Sequence, residues 1–246
     1  KEVLANVKNI RLGTRGSTLA LAQAHWVKAR IEERRPESKV EIVVLKTSGD
    51  RFIDASLQAI GGKGLFTKEI EDALLRNEID LAVHSLKDLP TEMAQGLVLI
   101  AVPEREDARD VLVTREPTSL DRLPPGARIG TGSLRRRAQL LYHRPGLSVV
   151  GIRGNVDTRL RKLDAGEVDA LVMAAAGLKR IGRGDRIVEF LPSEICVSAV
   201  AQGALGLQVR ANDAGNEECS FLHHAPTAAE VTAERSFLSR VGGGCQ

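Results

Sequence analysis

Residues 128–174 read RIGTGSLRRRAQLLYHRPGLSVVGIRGNVDTRLRKLDAGEVDALVMA, and this stretch decides the fold. A short strand over Arg128–Gly130 runs into Thr131-Gly132-Ser133, with the serine at the start of a helix over Leu134–His143. A second strand, Ser148–Ile152, leads through Arg153-Gly154-Asn155 into a helix over Val156–Leu163, and Ala170–Ala174 reads as a third strand. Strands alternating with helices at this spacing predict an α/β protein.

The residues before this stretch repeat the pattern. Ile10–Gly13 reads as a strand, and Ser17 can cap a helix running to about Arg34, with Leu19, Ala22, Trp26 and Val27 on its apolar side and Pro36 ending the region. Val40–Lys46 is a strand of β-branched residues. Asp50–Lys63 is loop-like and runs into Gly61-Gly62-Lys63-Gly64, and Phe66–Arg76 reads as an amphipathic helix. Ile79–Val83 is a buried strand that delivers His84-Ser85-Leu86-Lys87-Asp88 at its carboxyl end, the edge where open α/β sheets bind ligands. Val98–Pro103 is a further strand, and polar Glu104–Arg109 reads as a crossover. Each half opens with a strand, Gly-Thr, and a serine at a helix start, a weak internal repeat that suggests two related lobes with a cleft between them. Apolar Ser198–Arg210 reads as the strand returning to the first lobe. Pro226–Val241 is a helix with proline in its first turn, followed by Gly242-Gly243-Gly244-Cys245-Gln246.

Composition narrows the function. A chain of 246 residues, 43% hydrophobic and 27% charged, can bury an ordinary core in one large domain or two smaller ones. Aromatics make up 3%, with Trp26 and Tyr142 the sole Trp and Tyr, which argues against base-stacking platforms. Three widely spaced cysteines, Cys196, Cys219 and Cys245, form neither a disulfide framework nor a zinc pattern and point to a reducing, cytoplasmic setting. The longest apolar runs, such as Leu97–Val102, fall far short of the roughly 20 residues of a membrane helix.

Charge is the stronger signal. The net charge of +3 hides a segment from Arg122 to Lys162 with nine arginines and one lysine against a single acid, Asp157. These arginines are interleaved with Gly, Ser, Thr and Asn at element boundaries. A guanidinium grips a carboxylate through two parallel hydrogen bonds, and a helix N-terminus adds free N–H groups. Arg15, Arg135, Arg136, Arg153, Arg159 and Arg180 therefore read as discrete anion sites for a ligand with many negative charges, rather than as a stripe tracking nucleic acid.

Among single residues, Asp88 sits at a strand end beside Lys87. It reads either as a carboxylate that stabilises a passing cation or as a turn aspartate capping its own backbone. Cys245, after three glycines, reads as a nucleophile or attachment point, or as an incidental thiol in a frayed tail. The Gly61–Gly64 cluster lacks the spacing of a phosphate-binding loop and fits a glycine-hinged lid carrying Lys63. His84 reads as packed near its strand, and His223-His224 lack partners at metal-ligand spacing; no metal is expected. Cys196 and Cys219 read as small apolar residues.

Eight segments together resemble the porphobilinogen deaminase (hydroxymethylbilane synthase) family, in the family's order and over nearly the whole chain. They are Thr14–Ala20, Gly61–Phe66, His84–Pro90, Gly130–Arg136, Ile152–Arg159, Ala175–Arg180, Ala199–Ala204 and Gly243–Gln246. The resemblance implies an α/β fold of two periplasmic-binding-protein-like lobes plus the start of a third, cofactor-carrying α/β domain, truncated in this sequence because family members continue well beyond the cysteine. The implied division is 1–104 with 200–219, 105–199, and 220–246. It also implies a cytoplasmic, monomeric transferase that condenses four porphobilinogen molecules head to tail into hydroxymethylbilane, releasing ammonia at each step, with neither nucleic acid nor membrane as partner. By the same resemblance a dipyrromethane cofactor is joined to Cys245, and Asp88 is the catalytic residue. Ser85, Lys87, Asp88, Thr131, Ser133, Arg135, Arg136, Gly154, Arg159 and Gln202 contact the cofactor and growing chain, while Arg15, Ser17, Lys63, Phe66, Arg153, Asn155 and Arg180 contact substrate. The sequence departs from the family where serine is usual at Gly132 and glycine at Ala201. On the residues alone, a two-lobed binding protein for a polyanion and a nucleic-acid binder stay open: the first has no need of Asp88 or Cys245, and the second predicts salt-sensitive binding that tolerates their loss.

Overall fold

A computed structural model describes residues 8–47, 67–213 and 216–242; the loop over Asp50–Lys63, with Lys63 itself, Phe66 and Cys245 lie outside these residues. The chain divides into two compact units, residues 1–105 with 204–246 (unit 1) and residues 106–203 (unit 2).

Unit 1 is built on five strands: β1 (Lys8–Arg15), β2 (Ser38–Leu45), β3 (Leu81–Ser85), β4 (Leu97–Ala101) and, from the returning chain, β10 (Leu205–Arg210). Their order is β2-β1-β3-β10-β4; β1 pairs in parallel with β2 and β3, and β10 runs antiparallel between β3 and β4. Helix α1 (Thr18–Arg34) covers one face. Ser17 caps it by accepting a hydrogen bond from Ala20 N at 3.2 Å, and the helix ends one residue before Arg35-Pro36. Val27 and Ile31 of α1 pack on Leu12, Leu81 and Leu207. Trp26, expected on the apolar side, is 40% exposed, with Arg30 lying over its ring at 5.7 Å. The buried stripe instead holds Gln23, Ala24, Val27 and Ile31, the set that 3.6-residue periodicity from Val27 selects. On the other face, Ile70 and Leu74 of α2 (Lys68–Leu75) pack on Ile79 and Ala82.

Unit 2 repeats the plan with β5 (Asp110–Thr114), β6 (Arg128–Gly130), β7 (Ser148–Val150), β8 (Ala170–Ala174) and β9 (Glu189–Phe190), in the order β7-β6-β8-β5-β9. β6 is parallel to β7 and β8, and β5 is antiparallel to β8 and β9. Three helices, α3 (Leu134–His143), α4 (Val156–Asp164) and α5 (Ala175–Arg180), follow β6, β7 and β8. Successive side chains of β5 serve opposite faces: Leu112 joins the core with Ile129 and Leu140, while Val111 and Val113 join that with Leu160 and Leu178. The sequence reading left β5 and β9 unassigned. The run Val111-Leu112-Val113-Thr114, buried throughout, was the available signal for β5; β9, at two residues, is too short to give one.

Helix α6 (Ala225–Arg240) belongs to unit 1, where His224 caps it by accepting from Thr227 N at 3.4 Å. Among the described residues, no helix is long and apolar enough to cross a membrane.

Candidate functional site

In unit 1 the carboxyl ends of β1 and β3 and the first turn of α1 border an open pocket. Arg15 is the last residue of β1, Ser17 caps α1, Ser85 ends β3, and Asp88 closes the 3₁₀ turn Leu86–Asp88 that follows. All four line this pocket, with Leu19, Ile70 and Val83 among its apolar lining. Residues nominated separately from sequence therefore converge on one surface, and Lys87 shares the turn with Asp88. Gln23, which the sequence reading passed over, also lines the pocket and holds Ser85: its amide nitrogen donates to Ser85 Oγ at 2.9 Å. A glutamine on the buried stripe of a helix was the clue.

His84 faces the interior, 2.9 Å from Gln208 Oε1, and the Gln208 amide nitrogen donates to Glu71 at 2.9 Å. That amide orientation leaves an acceptor facing the ring, so Nε2 carries the hydrogen. Burial drives the His84 pKa down to about 4, against a weaker opposing effect of the Gln208 hydrogen bond. At neutral pH His84 is an uncharged structural group, in keeping with the sequence reading.

Unit 2 gathers its charge around Asp110, a fully buried carboxylate that sequence reasoning missed. Arg135 Nη1 donates to Oδ2 at 2.7 Å, and Arg136 donates to Oδ1 through Nη2 at 2.7 Å and Nε at 3.0 Å. Gln202 bridges Asp110 Oδ1 at 2.9 Å and the Ala108 carbonyl at 2.6 Å, and the Cys196 thiol donates to Oδ2 at 3.2 Å. Burial alone would raise the Asp110 pKa, but the charge of Arg136 and the hydrogen bonds from both arginines outweigh it and hold the group at about 2. Burial, with the adjacent carboxylate, pushes the Cys196 thiol up to about 11. Cys196 is thus a buried hydrogen-bond donor as well as an apolar filler.

Around this cluster the helix starts are tightly set. Thr131, buried, accepts from Ser133 N at 3.2 Å; Ser133 caps α3 by accepting from Arg136 N at 3.4 Å; and Asn155 caps α4 by accepting from Thr158 N at 2.9 Å. Gly154 has φ +109°, and a Cβ there would meet Thr158 at 2.5 Å, so this corner needs glycine on two counts. Arg153 beside it is exposed. Arg159 donates from Nε to the Gly154 carbonyl at 2.8 Å; burial, and then the like charge of Arg136, lower its pKa. Arg180 donates to the Gly203 carbonyl at 2.7 Å, and burial lowers its pKa to about 10 against an opposing pull from Glu106. Among the described residues, neither Arg159 nor Arg180 forms a salt bridge to a carboxylate. Partly buried guanidiniums held by main-chain carbonyls leave positive charge that a polycarboxylate ligand would balance.

Two sets of comparisons bear on this arrangement. Residues 10–218 match the family model described as porphobilinogen deaminase, dipyromethane cofactor binding domain. The chain is 52% identical over 240 residues to the porphobilinogen deaminase of Pelobacter propionicus, covering 97% of this chain and 77% of that one. It is 53% identical over 241 residues to that of Geobacter sulfurreducens, covering 98% and 76%. Among solved structures, the methionine-binding protein MetQ aligns over 92% of this chain and 94% of its own at TM-score 0.52 and 14% identity. A periplasmic substrate-binding protein of an ABC transporter from Coxiella burnetii aligns over 92% and 96% at TM-score 0.51 and 17% identity. The structural likeness is one of fold: two lobes of the periplasmic-binding-protein kind.

Proposed function

The chain belongs to the porphobilinogen deaminase family, and from that premise we propose that it condenses four porphobilinogen molecules head to tail, with loss of ammonia at each step, and that water then cleaves the product from the cofactor as hydroxymethylbilane, the linear tetrapyrrole of haem biosynthesis. The observation that carries this reading onto particular residues is the convergence of Arg15, Ser17, Ser85 and Asp88 on one pocket of unit 1.

The chemistry asks for what that pocket contains. As the aminomethyl C–N bond of porphobilinogen breaks, nitrogen leaves as ammonia and positive charge spreads over the methylene carbon and the pyrrole nitrogen. A fixed carboxylate stabilises that charge as it develops and accepts a hydrogen bond from the pyrrole N–H. Asp88 is the group we assign to this role, with Lys87 and Ser85 beside it. Arg15 and Ser17, at the end of β1 and the cap of α1, would hold the acetate and propionate groups of the substrate.

The donor set of unit 2 fits a dipyrromethane, whose two rings carry several carboxylates. Neither Arg159 nor Arg180 forms a salt bridge to a carboxylate among the described residues, and Arg159 is partly buried beside the like-charged Arg136. We assign Thr131, Ser133, Arg135, Arg136, Gly154, Arg159 and Gln202 to cofactor and growing chain, and Arg153, Asn155 and Arg180, with Lys63 and Phe66, to substrate. Covalent attachment falls to Cys245. When bound, the dipyrromethane supplies the pyrrole carbon at which the chain grows. Asp110 holds the Arg135 and Arg136 forks in place, so their remaining donors are presented in fixed directions. We further read the protein as a cytoplasmic, monomeric transferase acting on small molecules; its 3% aromatic content speaks against base stacking.

Asp88→Asn keeps the side chain's shape and removes its charge. Tetrapyrrole formation from porphobilinogen is expected to fall by at least about a hundredfold, the scale of one well-placed electrostatic group. Turnover near that of the parent chain would remove Asp88 from the mechanism.

A further inference from the structure

Arg235 lies on α6, far along the chain from Asp88, yet its guanidinium is directed at the Asp88 turn. Nη1 donates to the Leu89 carbonyl at 2.9 Å and the Leu86 carbonyl at 3.4 Å, and Nη2 donates to the Pro90 carbonyl. These carbonyls bracket Lys87-Asp88. The turn's own closure is a long bond from Leu89 N to Leu86 O at 3.3 Å, and Leu86 N is tied to Ala204 O at 3.0 Å. Leu86 and Leu89 are buried, so carbonyls released there would be poorly placed to find water.

Helix α6 is itself firmly seated in unit 1. His224 N donates to the Val102 carbonyl at 2.8 Å, Arg105 N donates to Thr227 Oγ1 at 3.1 Å, and the Arg105 guanidinium grips Glu234 at 2.6 and 3.1 Å. Glu234 is the residue next to Arg235, so the seating of α6 fixes the origin of the fork that reaches the turn.

We propose that Arg235 is a positioning residue for Asp88: it locks the Leu86–Pro90 turn from α6, so that the carboxylate's place in the pocket depends on the seating of the helix that leads toward Cys245. The inference rests on the reading of Asp88 as catalytic. Three carbonyls suit a planar fork with several N–H groups; a lysine ammonium, a point charge on a flexible stem, cannot hold all three in the same way.

The test uses the full chain carrying its cofactor, with Arg235→Lys, Arg235→Gln, Asp88→Asn and the double variant Arg235→Lys/Asp88→Asn. Arg235→Lys is expected to remain folded at the assay temperature and to lose roughly 10- to 100-fold in kcat, the cost of a small misplacement of a reacting group. KM should stay within about threefold, since the substrate-holding groups are untouched. In the Asp88→Asn background the same change should lower the residual turnover by less than about twofold, because a residue acting through Asp88 has nothing left to act through. Arg235→Gln, which keeps a planar amide but fewer donors, serves the same comparison should the lysine variant not fold. A kcat close to the parent's in both single variants, or an equal loss with and without Asp88, overturns the proposal while the role of Asp88 stands. Parent-like turnover of Asp88→Asn overturns both.

Discussion

Units 1 and 2 carry the same sheet, strand for strand, yet fill its polar end by opposite means. In unit 1 the buried groups on β3 and β10 are neutral at pH 7: His84 rests on Gln208, and Ser85 at the strand end rests on Gln23. In unit 2 the first residue of β5 is a buried carboxylate clamped between two guanidiniums. Among the described residues, Asp88 is the carboxylate that lines the unit 1 pocket. A buried ion pair costs desolvation, but it fixes the direction of both arginines. On the proposed function, one framework would serve two tasks, meeting positive charge in unit 1 and holding negative charge in unit 2.

The contrast can be broken most forcefully at Asp110. Asp110→Asn preserves the outline and leaves Arg135 and Arg136 facing a neutral amide; removing one partner from a buried pair costs about 3–5 kcal/mol. Urea unfolding should register that loss. A change below about 1 kcal/mol would reduce the cluster to the worth of a surface pair and erase the contrast.

Acid should separate the units next. The folded pKa of His84, about 4, lies below its ordinary 6.5 because burial opposes charging. The unfolded chain takes up that proton first as pH falls, so the contribution is complete above pH 6.5 and declines by about 3 kcal/mol by pH 4. Asp110 acts lower: its folded value of about 2 lies below 3.8, so its stabilisation is present above about pH 4 and is lost as pH falls toward 2. Asp107, held near 2 first by its hydrogen bond from Arg109, titrates in the same window. Hydrogen exchange at pH 7 and pH 5, corrected for intrinsic rates, should show unit 1 loosening first, and His84→Gln should flatten that response. Equal loosening of both units at pH 5 contradicts the assignment.

The smallest effect sharpens the account within unit 2. Ala201 adopts φ +56° while fully buried, a left-handed conformation in which an alanine Cβ is strained. Glycine, which adopts this conformation without strain, should raise stability by about 1 kcal/mol, less the extra freedom it gives the unfolded chain. A melting temperature raised by roughly 2–4 °C is the expected reading, and a lowered one would place the strain elsewhere. Gly203, two residues on, marks the opposite case. Its φ is +86°, and a Cβ there would lie 2.2 Å from the Glu106 carbonyl oxygen, so no side chain fits.

Much of the α/β plan was legible because its boundaries are written in caps and glycines. Strands Arg128–Gly130 and Ala170–Ala174 and the helix Leu134–His143 begin and end where Ser133 and the neighbouring glycines indicate. The helix from Ser17 to Arg34 was legible for the same reason, but its buried face was not: Trp26 outweighed Gln23 in a reading by hydrophobicity, whereas a satisfied amide can be buried at no loss. Strand β3 was read two residues early because the apolar run ends before the strand does; His84 and Ser85 continue the ladder as polar residues with buried partners. At the candidate site, Arg15, Ser17, Ser85 and Asp88 could be named from sequence. Asp110, Gln208 and Arg235 could not, since their roles arise from partners 25 to 149 positions away that only the fold brings within reach.

The measurement that tests the central claim most directly is the intact mass of the freshly prepared, denatured chain beside that of Cys245→Ser. The account predicts an excess corresponding to two linked pyrrole units in the first and none in the second. No excess in the parent chain, or an excess that survives the loss of Cys245, contradicts it.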